Sequence, residues 1–226
     1  MIPRTLLFPT LLLVLLGIVA GVGCTQLATP PDAAQAADIS LPAPSLKGNV
    51  SVEEALAKRR SVRSFTEQKL SLQQIGQLAW AAQGITDKEG RRTAPSAMAV
   101  YPLQLYVVVS DGAFRYVPEG HKLVKLSDSD ARAALSTQGS VRGAPLDFVI
   151  VGDFAKARAR FGERAERFVS LEAGHVAQNI HLQAVALGLG SVPVGGYQEE
   201  GVREALGLAA EEAPLYVIPV GYPKTG

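Results

Sequence analysis

The chain of 226 residues has one cysteine and three histidines, and this scarcity excludes several kinds of site. The cysteine is Cys24, and the histidines are His121, His175 and His181. They offer no Cys/His cluster with zinc spacing and no disulfide framework. A G-x-S-x-G elbow is absent from the sequence, and the histidines show no pattern of nucleophile, base and orienting carboxylate. We therefore expect neither a metal site nor a side-chain nucleophile.

An excess of charge of one sign is lacking as well. The formal net charge is +1, and no basic stripe alternates with aromatic residues. This balance indicates neither a nucleic acid nor an acidic partner. If the protein is an enzyme, a bound organic cofactor is expected to supply the difficult chemistry.

Residues 1–24 are typical of a secretory signal peptide. Arg4 precedes an apolar stretch that ends in Gly21-Val22-Gly23-Cys24, and the stretch is slightly short of the ~20 residues that a spanning helix needs. Cys24 after small residues resembles a bacterial lipobox, in which the cysteine becomes the lipidated first residue. This predicts an exported lipoprotein anchored to a membrane of the bacterial cell envelope. An ordinary cleaved signal with an incidental cysteine, or a retained signal anchor, is the alternative.

Residues 25–48 have the composition of a tether. They are rich in alanine and proline and contain little that builds a core, which predicts an extended, mobile segment. The remaining residues, 49–226, have the size of one domain.

Helical and strand patterns alternate along this domain. Ser51 with Glu54, and Ser71 with Gln74, are capping-box signatures before apolar stripes. The apolar run 146–151 predicts a strand at the buried centre of a sheet. Because hairpins and crossovers are mixed, we expect an α+β fold. Helices are predicted at 52–60, 71–84, 128–135, 155–168, 170–189 and 198–206, and strands at 103–110, 114–117, 121–126, 146–151, 191–196 and 215–220.

The predicted helix 170–189 is apolar or small on almost every side. Such a helix must be buried on more than one side. A subunit interface would supply the second side, and a central position in a monomeric core is the alternative.

Three arginines lie within five residues, in the sequence Arg59-Arg60-Ser61-Val62-Arg63. Guanidinium groups are always charged and match phosphate oxygens with paired hydrogen bonds, so this cluster fits a phosphate-bearing cofactor. The alternative is a solvated charge run at a helix end, where arginines complement the negative end of the dipole.

Six segments follow one another in an order that is similar to a known family. They are Arg59 to Phe65, Arg92 to Ala97, Tyr101-Pro102-Leu103, Glu172 to His175 with Gln178-Asn179, Gly188-Leu189-Gly190, and Val192 to Gly196. Together they resemble the flavin-dependent nitroreductase superfamily, with the SagB-type dehydrogenases as the closest branch. The resemblance implies FMN held between the two subunits of a homodimer, a mixed central sheet flanked by helices, and two-electron transfer through the flavin to or from a small organic substrate.

The same resemblance implies cofactor contacts at four places in the chain. The phosphate and ribityl chain would be bound by Arg59, Arg60 and Ser61, with Arg63 nearer the pyrimidine edge of the ring. The segment near the ring and the ribityl chain would be Pro95, Ser96 and Ala97. The segment beside the ring would be Pro193, Val194, Gly195 and Gly196. A basic residue after the last strand, Lys224, would touch the phosphate.

The sequence differs from the SagB-type pattern in two ways, and the predicted export conflicts with the usual electron donor. Met98 stands where the SagB-type branch commonly has a glycine, and the peptide-docking elements of a thiazoline oxidase are absent, so heterocycle oxidation is not expected. NAD(P)H is a cytoplasmic electron donor, whereas the leader predicts export, so the donor stays open. The alternative function is a membrane-tethered flavin-binding or interaction domain that does not catalyse, or a scaffold without a cofactor.

Overall fold

The computed structural model describes residues 38–224. In this range seven strands form one sheet in the order β1-β4-β3-β2-β5-β7-β6, and neighbouring strands are antiparallel throughout. The strands are β1 (Ile39–Ser40), β2 (Leu103–Val109), β3 (Gly112–Val117), β4 (Lys122–Ser127), β5 (Leu146–Asp153), β6 (Gly190–Ser191) and β7 (Glu212–Gly221).

Helices cover both faces of the sheet, which confirms the predicted α+β class. They are α1 (Val52–Lys58), α2 (Leu72–Gln83), α3 (Arg132–Leu135), α4 (Gly139–Arg142), α5 (Phe154–Phe161), α6 (Ala165–Ala186) and α7 (Glu199–Leu206). The sheet differs from the mixed one that was expected, because parallel pairing within residues 38–224 is confined to a bridge between Ser61 and Ser191. The helical connection from β5 to β7 brings β7 back in the opposite direction, so these central strands pair antiparallel.

The two predicted capping signals start helices α1 and α2. The Ser51 hydroxyl accepts the Glu54 backbone N–H at 3.1 Å. At Ser71 the box is complete, because its hydroxyl accepts the Gln74 N–H at 3.2 Å and the Gln74 side-chain oxygen accepts the Ser71 N–H at 3.0 Å. These bonds satisfy donors that the first turn of a helix leaves free, and they fix where each helix begins.

Strand β5 is the centre of the sheet, as predicted from its apolar run. Its residues from Leu146 to Gly152 are all buried. One face packs against α2 and α6 through residues such as Leu78 and Ile180, and the other packs against α4 and α7 through Val141 and Val202. The strand therefore separates two apolar layers of one domain.

The chain breaks between α5 and α6 earlier than the sequence pattern predicts. Gly162 ends α5 with a φ of 57°, a conformation that glycine adopts without steric cost. Helix α6 runs from Ala165 to Ala186, so it joins the end of the predicted helix 155–168 to most of the predicted helix 170–189 and stops three residues before the predicted end. Phe161 and Phe168 pack across this break with their ring centroids 4.7 Å apart.

The first described residues, 38–47, form a strap that is packed on the domain. Ile39 and Ser40 pair with β4, and the Leu41 N–H donates to the His121 carbonyl at 3.0 Å. Gln77 on α2 makes two bonds to the backbone of Ser45, at 2.7 Å and 3.1 Å. This end of the predicted tether is therefore fixed by pairing that its composition did not indicate.

The leader, including Cys24, and the earlier part of the tether lie outside the described residues. Across residues 38–224, no helix combines the length and the apolar character that crossing a bilayer requires.

Candidate cofactor site

The basic loop, residues 59–66, lies between β6 and the segment that follows β7. On one side the Val62 N–H donates to the Ser191 carbonyl at 3.0 Å, and on the other the Thr66 N–H donates to the Tyr222 carbonyl at 2.9 Å. The Lys224 N–H donates to the Ser64 carbonyl at 3.0 Å. The structure thus brings the predicted residues Arg59, Arg60, Ser61 and Arg63 to the same edge of the sheet as Lys224.

Two glycines allow the basic loop to lie this close to the strands. A Cβ on Gly190 would lie 2.7 Å from the Val62 Cβ, and a Cβ on Gly221 would lie 3.0 Å from the Phe65 Cβ. Neither glycine has a left-handed φ, so close approach of neighbouring groups, and not backbone conformation, requires glycine at both positions. At Gly221 the ring of Pro145, whose Cδ would lie 2.7 Å from the added Cβ, is closer than the loop.

The cations of this edge have no carboxylate partner in the part of the chain that the structure describes. Within residues 38–224, no ion pair joins Arg59, Arg60, Arg63 or Lys224 to an acidic side chain. The guanidinium of Arg60 donates instead to the Ala57 and Arg59 carbonyls. Like charges gathered without counter-charges create a positive potential at the surface. The arrangement therefore suits an anion with several oxygen atoms.

Arg59 has a partner that the sequence pattern did not reveal. Its Nη1 lies 3.1 Å from Nε2 of His181 on α6, and Nδ1 of His181 lies 2.6 Å from the Ser191 hydroxyl. Burial, and next the charge of Arg59, lower the pKa of His181 to about 4. The imidazole is therefore neutral at pH 7. No spacing rule links positions 59, 181 and 191, which meet only in the folded chain.

The segment from Pro193 to Gly196 continues from β6 and is less regular than the predicted strand 191–196. Val194 exchanges backbone hydrogen bonds with Val217 at 2.8 Å and 3.0 Å, after which the chain leaves the sheet. Gly195 and Gly196 are exposed. A Cβ on Gly195 would meet no heavy atom within 4 Å, so packing among the described residues does not require a glycine there.

The structure does not bring Pro95, Ser96 and Ala97 to the basic loop. Ser96 donates its hydroxyl hydrogen to Glu172 Oε2 at 2.6 Å. Glu172 and His181 are both on α6, roughly 13 Å apart along the helix axis at about 1.5 Å per residue. In one copy of the chain, these three residues are therefore separate from the other predicted cofactor residues.

The turn after Ser96 is strained. Met98, Ala99 and Tyr101 have φ values of 52°, 55° and 49°, in the left-handed region that favours glycine. The Ser96 hydroxyl accepts the Tyr101 N–H at 2.8 Å, and the Ser96 carbonyl accepts the Ala99 N–H at 3.0 Å. Such strain persists where surrounding bonds fix the backbone, and it is often found at ligand sites.

Glu172 anchors this turn from the interior of the domain. It is only 4% exposed, and its burial raises the pKa of the carboxyl, although the Ser96 bond and the charge of Arg92 act in the opposite direction. Arg92 is held in turn by the Gln83 side-chain oxygen at 2.9 Å. Glu172 belongs to one of the family-like segments, but its bond to Ser96 could not be predicted from sequence spacing.

Comparison with known proteins shows the family. The model of the nitroreductase family matches residues 56–222. A protein named as a nitroreductase from Methanocaldococcus jannaschii is 39% identical over 183 residues, which cover 76% of this chain and 91% of the relative. A protein from Methanothermobacter thermautotrophicus named NADH dehydrogenase/NAD(P)H nitroreductase is 27% identical over 176 residues, covering 76% and 77% of the two chains.

Solved structures agree with this result. The crystal structure of a nitroreductase from Ralstonia eutropha JMP134 superposes with a TM-score of 0.77 at 31% identity, covering 84% of this chain and 90% of that one. The fold is therefore that of the nitroreductases of known structure. The chain belongs to the nitroreductase family, a family of oxidoreductases.

Proposed function

We propose that this protein is an FMN-dependent oxidoreductase that transfers two electrons from a donor such as NAD(P)H to a small organic acceptor, such as a nitroaromatic compound or a quinone. One observation supports it above the others. The basic loop and the end of the chain gather Arg59, Arg60, Arg63 and Lys224 at one edge of the sheet with no carboxylate partner among residues 38–224.

The basic loop fits the phosphate end of FMN. Each charge-assisted hydrogen bond from a guanidinium to a phosphate contributes about 1.5–3 kcal/mol. In this proposal Arg59, Arg60 and Ser61 hold the phosphate and the ribityl chain. Lys224 adds a point charge from the segment that pairs with Ser64.

The segment after β6 fits the ring end of the cofactor. FMN held here would supply hydride and electron transfer, and the residues at its pyrimidine edge would stabilise the negative charge of the reduced form. Arg63 is exposed and has no carboxylate partner in the described part of the chain, so its charge is available to stabilise that edge. Backbone N–H groups at Gly195 and Gly196 can approach a flat ring, since no Cβ intrudes.

We infer that the active form is a homodimer that completes this site. Pro95, Ser96 and Ala97 lie at a turn that is bonded to Glu172, roughly 13 Å along the axis of α6 from His181, and we propose that a second copy supplies them to the site. Helix α6 also leaves apolar surface uncovered, since Leu171 is 54% exposed. A cleft of about 580 Å³ lies between the strap, α2 and α6 and includes Leu182 in its lining.

We propose that the protein falls in the SagB-type branch of the family, and the joint order of its six motif segments supports this. Membership of an oxidoreductase family favours an enzyme over the non-catalytic carrier. The name of the Methanothermobacter relative includes NAD(P)H, which supports a nicotinamide donor for this chain.

We also propose that the leader directs export and that Cys24 is lipidated, which would anchor the protein to a membrane of the cell envelope. Mass spectrometry of the mature protein tests this directly. A lipid-modified N-terminus at Cys24, lost in Cys24→Ser, is expected, whereas an unmodified N-terminus at another residue would exclude the lipoprotein.

Anaerobic stopped-flow reduction tests the enzymatic part of the proposal. The domain loaded with FMN is mixed in turn with NADH, NADPH and a quinol, and the flavin absorbance near 450 nm is followed. Rapid bleaching by at least one donor, and recovery on adding a nitroaromatic or a quinone, are expected. Tight FMN binding without reduction by any of the three would instead identify a flavin carrier.

A further inference from the structure

Helix α6 passes beneath the basic loop at His181. The imidazole is 3% exposed, and Ser191 beside it is 1% exposed. Arg59 Nη1 lies 3.1 Å from one ring nitrogen, and the Ser191 hydroxyl lies 2.6 Å from the other. Three side chains from α1's end, α6 and β6 therefore form one chain of hydrogen bonds.

The partner of each ring nitrogen shows which nitrogen of His181 carries the hydrogen. Arginine is always charged and has no acceptor atom, so Nε2 of His181 must accept. A neutral imidazole that accepts at Nε2 carries its hydrogen on Nδ1, which then donates to the Ser191 oxygen. Burial lowers the pKa of His181 to about 4, in agreement with a neutral ring.

We propose that His181 is a positioning residue for the phosphate of the cofactor: it fixes the guanidinium of Arg59 through a neutral acceptor and leaves the full positive charge available to an anion. This inference rests on the proposed FMN site. It adds a residue that touches no part of the cofactor and acts only through Arg59.

The neutrality of the acceptor is the essential point. Arginines in proteins are commonly oriented by carboxylates, as Arg132 is by Asp130. A carboxylate beside Arg59 would also hold the guanidinium, but it would cancel the charge that attracts a phosphate. A ring nitrogen holds the same geometry without that cancellation, so the positive potential at the basic loop is kept.

The same network connects the position of Arg59 to the rest of the basic loop. The Ser191 hydroxyl oxygen accepts a hydrogen bond from the Nδ1–H of His181 at 2.6 Å, and the Ser191 carbonyl accepts one from the Val62 N–H at 3.0 Å. Ser191 also forms the parallel bridge with Ser61. One residue of β6 therefore contacts both the imidazole that holds Arg59 and the loop that carries the other phosphate contacts.

The test compares FMN with riboflavin, because riboflavin has the same ring and ribityl chain but no phosphate. Both affinities are measured by fluorescence titration of the flavin-free domain at pH 8. The affinity for FMN divided by the affinity for riboflavin, called the ratio below, reports on the phosphate contacts alone. His181→Ala is expected to lower this ratio roughly tenfold, the usual size of one lost charge-assisted hydrogen bond. General loss of packing would weaken both flavins alike and leave the ratio unchanged.

Two variants of equal shape, His181→Gln and His181→Glu, separate the effect of holding Arg59 in place from the effect of the charge beside it. His181→Gln puts a neutral amide oxygen near the place of Nε2 and is expected to keep the ratio within about threefold of the wild type. His181→Glu has the same shape with a negative charge and is expected to lower the ratio at least tenfold. In a double-mutant cycle, His181→Ala should have no further effect on the ratio once Arg59 is changed to alanine.

Ser191→Ala serves if the changes at His181 prevent folding. Loss of the hydroxyl removes the hydrogen bond that holds the imidazole at Nδ1, so the ring can rotate away from Arg59, and the ratio should again fall while riboflavin affinity stays the same. Equal ratios in the wild type, His181→Glu and Ser191→Ala would overturn the inference and leave the FMN site intact. A wild-type domain that binds neither flavin would instead overturn the proposed function, and the inference with it.

Discussion

Gly190 lies directly against Val62: a Cβ added to the glycine would be 2.7 Å from the valine Cβ. Real Cβ atoms do not approach this closely, so either the loop or β6 must shift when any side chain is present. Of the two glycine contacts with the basic loop, this one is the closer. The position of the arginines in the loop therefore depends on the lack of a side chain at residue 190.

Gly190→Ala is therefore expected to displace the basic loop. Overpacking of this kind costs about 1–3 kcal/mol of folding stability, and FMN affinity should fall with it because the arginines move together. Thermal unfolding and FMN titration measure the two effects.

Gly195→Ala is the matched comparison. Since a Cβ there meets nothing within 4 Å, its unfolding midpoint should stay within about 2 °C of the wild type, corresponding to a change under roughly 0.5 kcal/mol. Flavin affinity or reduction rate should nevertheless fall if the ring edge lies against this glycine.

A Gly190→Ala variant with unchanged flavin affinity would show that the basic loop is not part of the site.

Asp147 is predicted to make the domain less stable as pH rises. It is fully buried in β5, and neither carboxylate oxygen has a hydrogen-bond partner within residues 38–224, so burial raises its pKa well above the usual value. In the unfolded chain the Asp147 carboxyl ionises above about pH 4, whereas in the folded domain it stays protonated. Its contribution to the free energy of unfolding is therefore fully present below about pH 4. It is lost at about 1.4 kcal/mol per pH unit as pH rises towards the folded pKa.

Asp147→Asn removes this titration. Chemical denaturation at pH 5, 6.5 and 8 should show that the free energy of unfolding falls with pH less steeply in the variant than in the wild type. Asp130→Asn is the control: because the bond to Arg132 lowers the pKa of Asp130, this carboxyl stays ionised from pH 5 to 8, and its replacement should leave the slope of the wild type unchanged. Parallel pH profiles for Asp147→Asn and the wild type would contradict the assignment of a neutral buried carboxyl.

Met98→Gly should stabilise the domain. Methionine at a φ of 52° carries a steric cost that glycine avoids, and Met98 is largely exposed, so little packing is lost. After the extra entropy of glycine in the unfolded chain is subtracted, a gain of about 0.5–1 kcal/mol is expected. Met98→Ala, which keeps a Cβ, should show no such gain; equal stabilisation by both changes would point to the side chain and not the backbone.

Leu171→Arg tests the dimer. A charge at this exposed leucine of α6 should shift the protein towards monomer and reduce FMN occupancy, because Pro95 to Ala97 could no longer come from a second copy. Sedimentation velocity and flavin content measure this. Leu126→Arg changes another exposed leucine, on β4, and should leave both quantities unchanged. A flavin-loaded monomer would exclude a shared site.

Local patterns in the sequence predicted the elements whose causes are local. The capping box at Ser71 and the apolar run from Leu146 are read from neighbouring residues, and both give the predicted element. The two-residue strand β1 has no such signal, because Ile39 and Ser40 become a strand only by pairing with β4. The start of α6 was misplaced because helical propensity continues through the residues after Gly162, and the positive φ of that glycine sets the break.

The candidate site divides in the same way. The arginine cluster was visible because its three guanidinium groups are adjacent in sequence. His181 was not, since an isolated histidine on a mostly apolar helix has no pattern that joins it to Arg59. Ser96 is bonded to Glu172 and Arg59 to His181, at different places along α6. The course of this helix therefore divides the twelve predicted cofactor residues into two groups, which sequence order could not show.

The visible absorption spectrum of the purified domain tests the central claim most directly. The account predicts a yellow protein with flavin bands near 370 and 450 nm, roughly one releasable flavin per chain, and identification of that flavin as FMN. A colourless domain that stays colourless after incubation with excess FMN, while its circular dichroism shows it to be folded, would contradict the account.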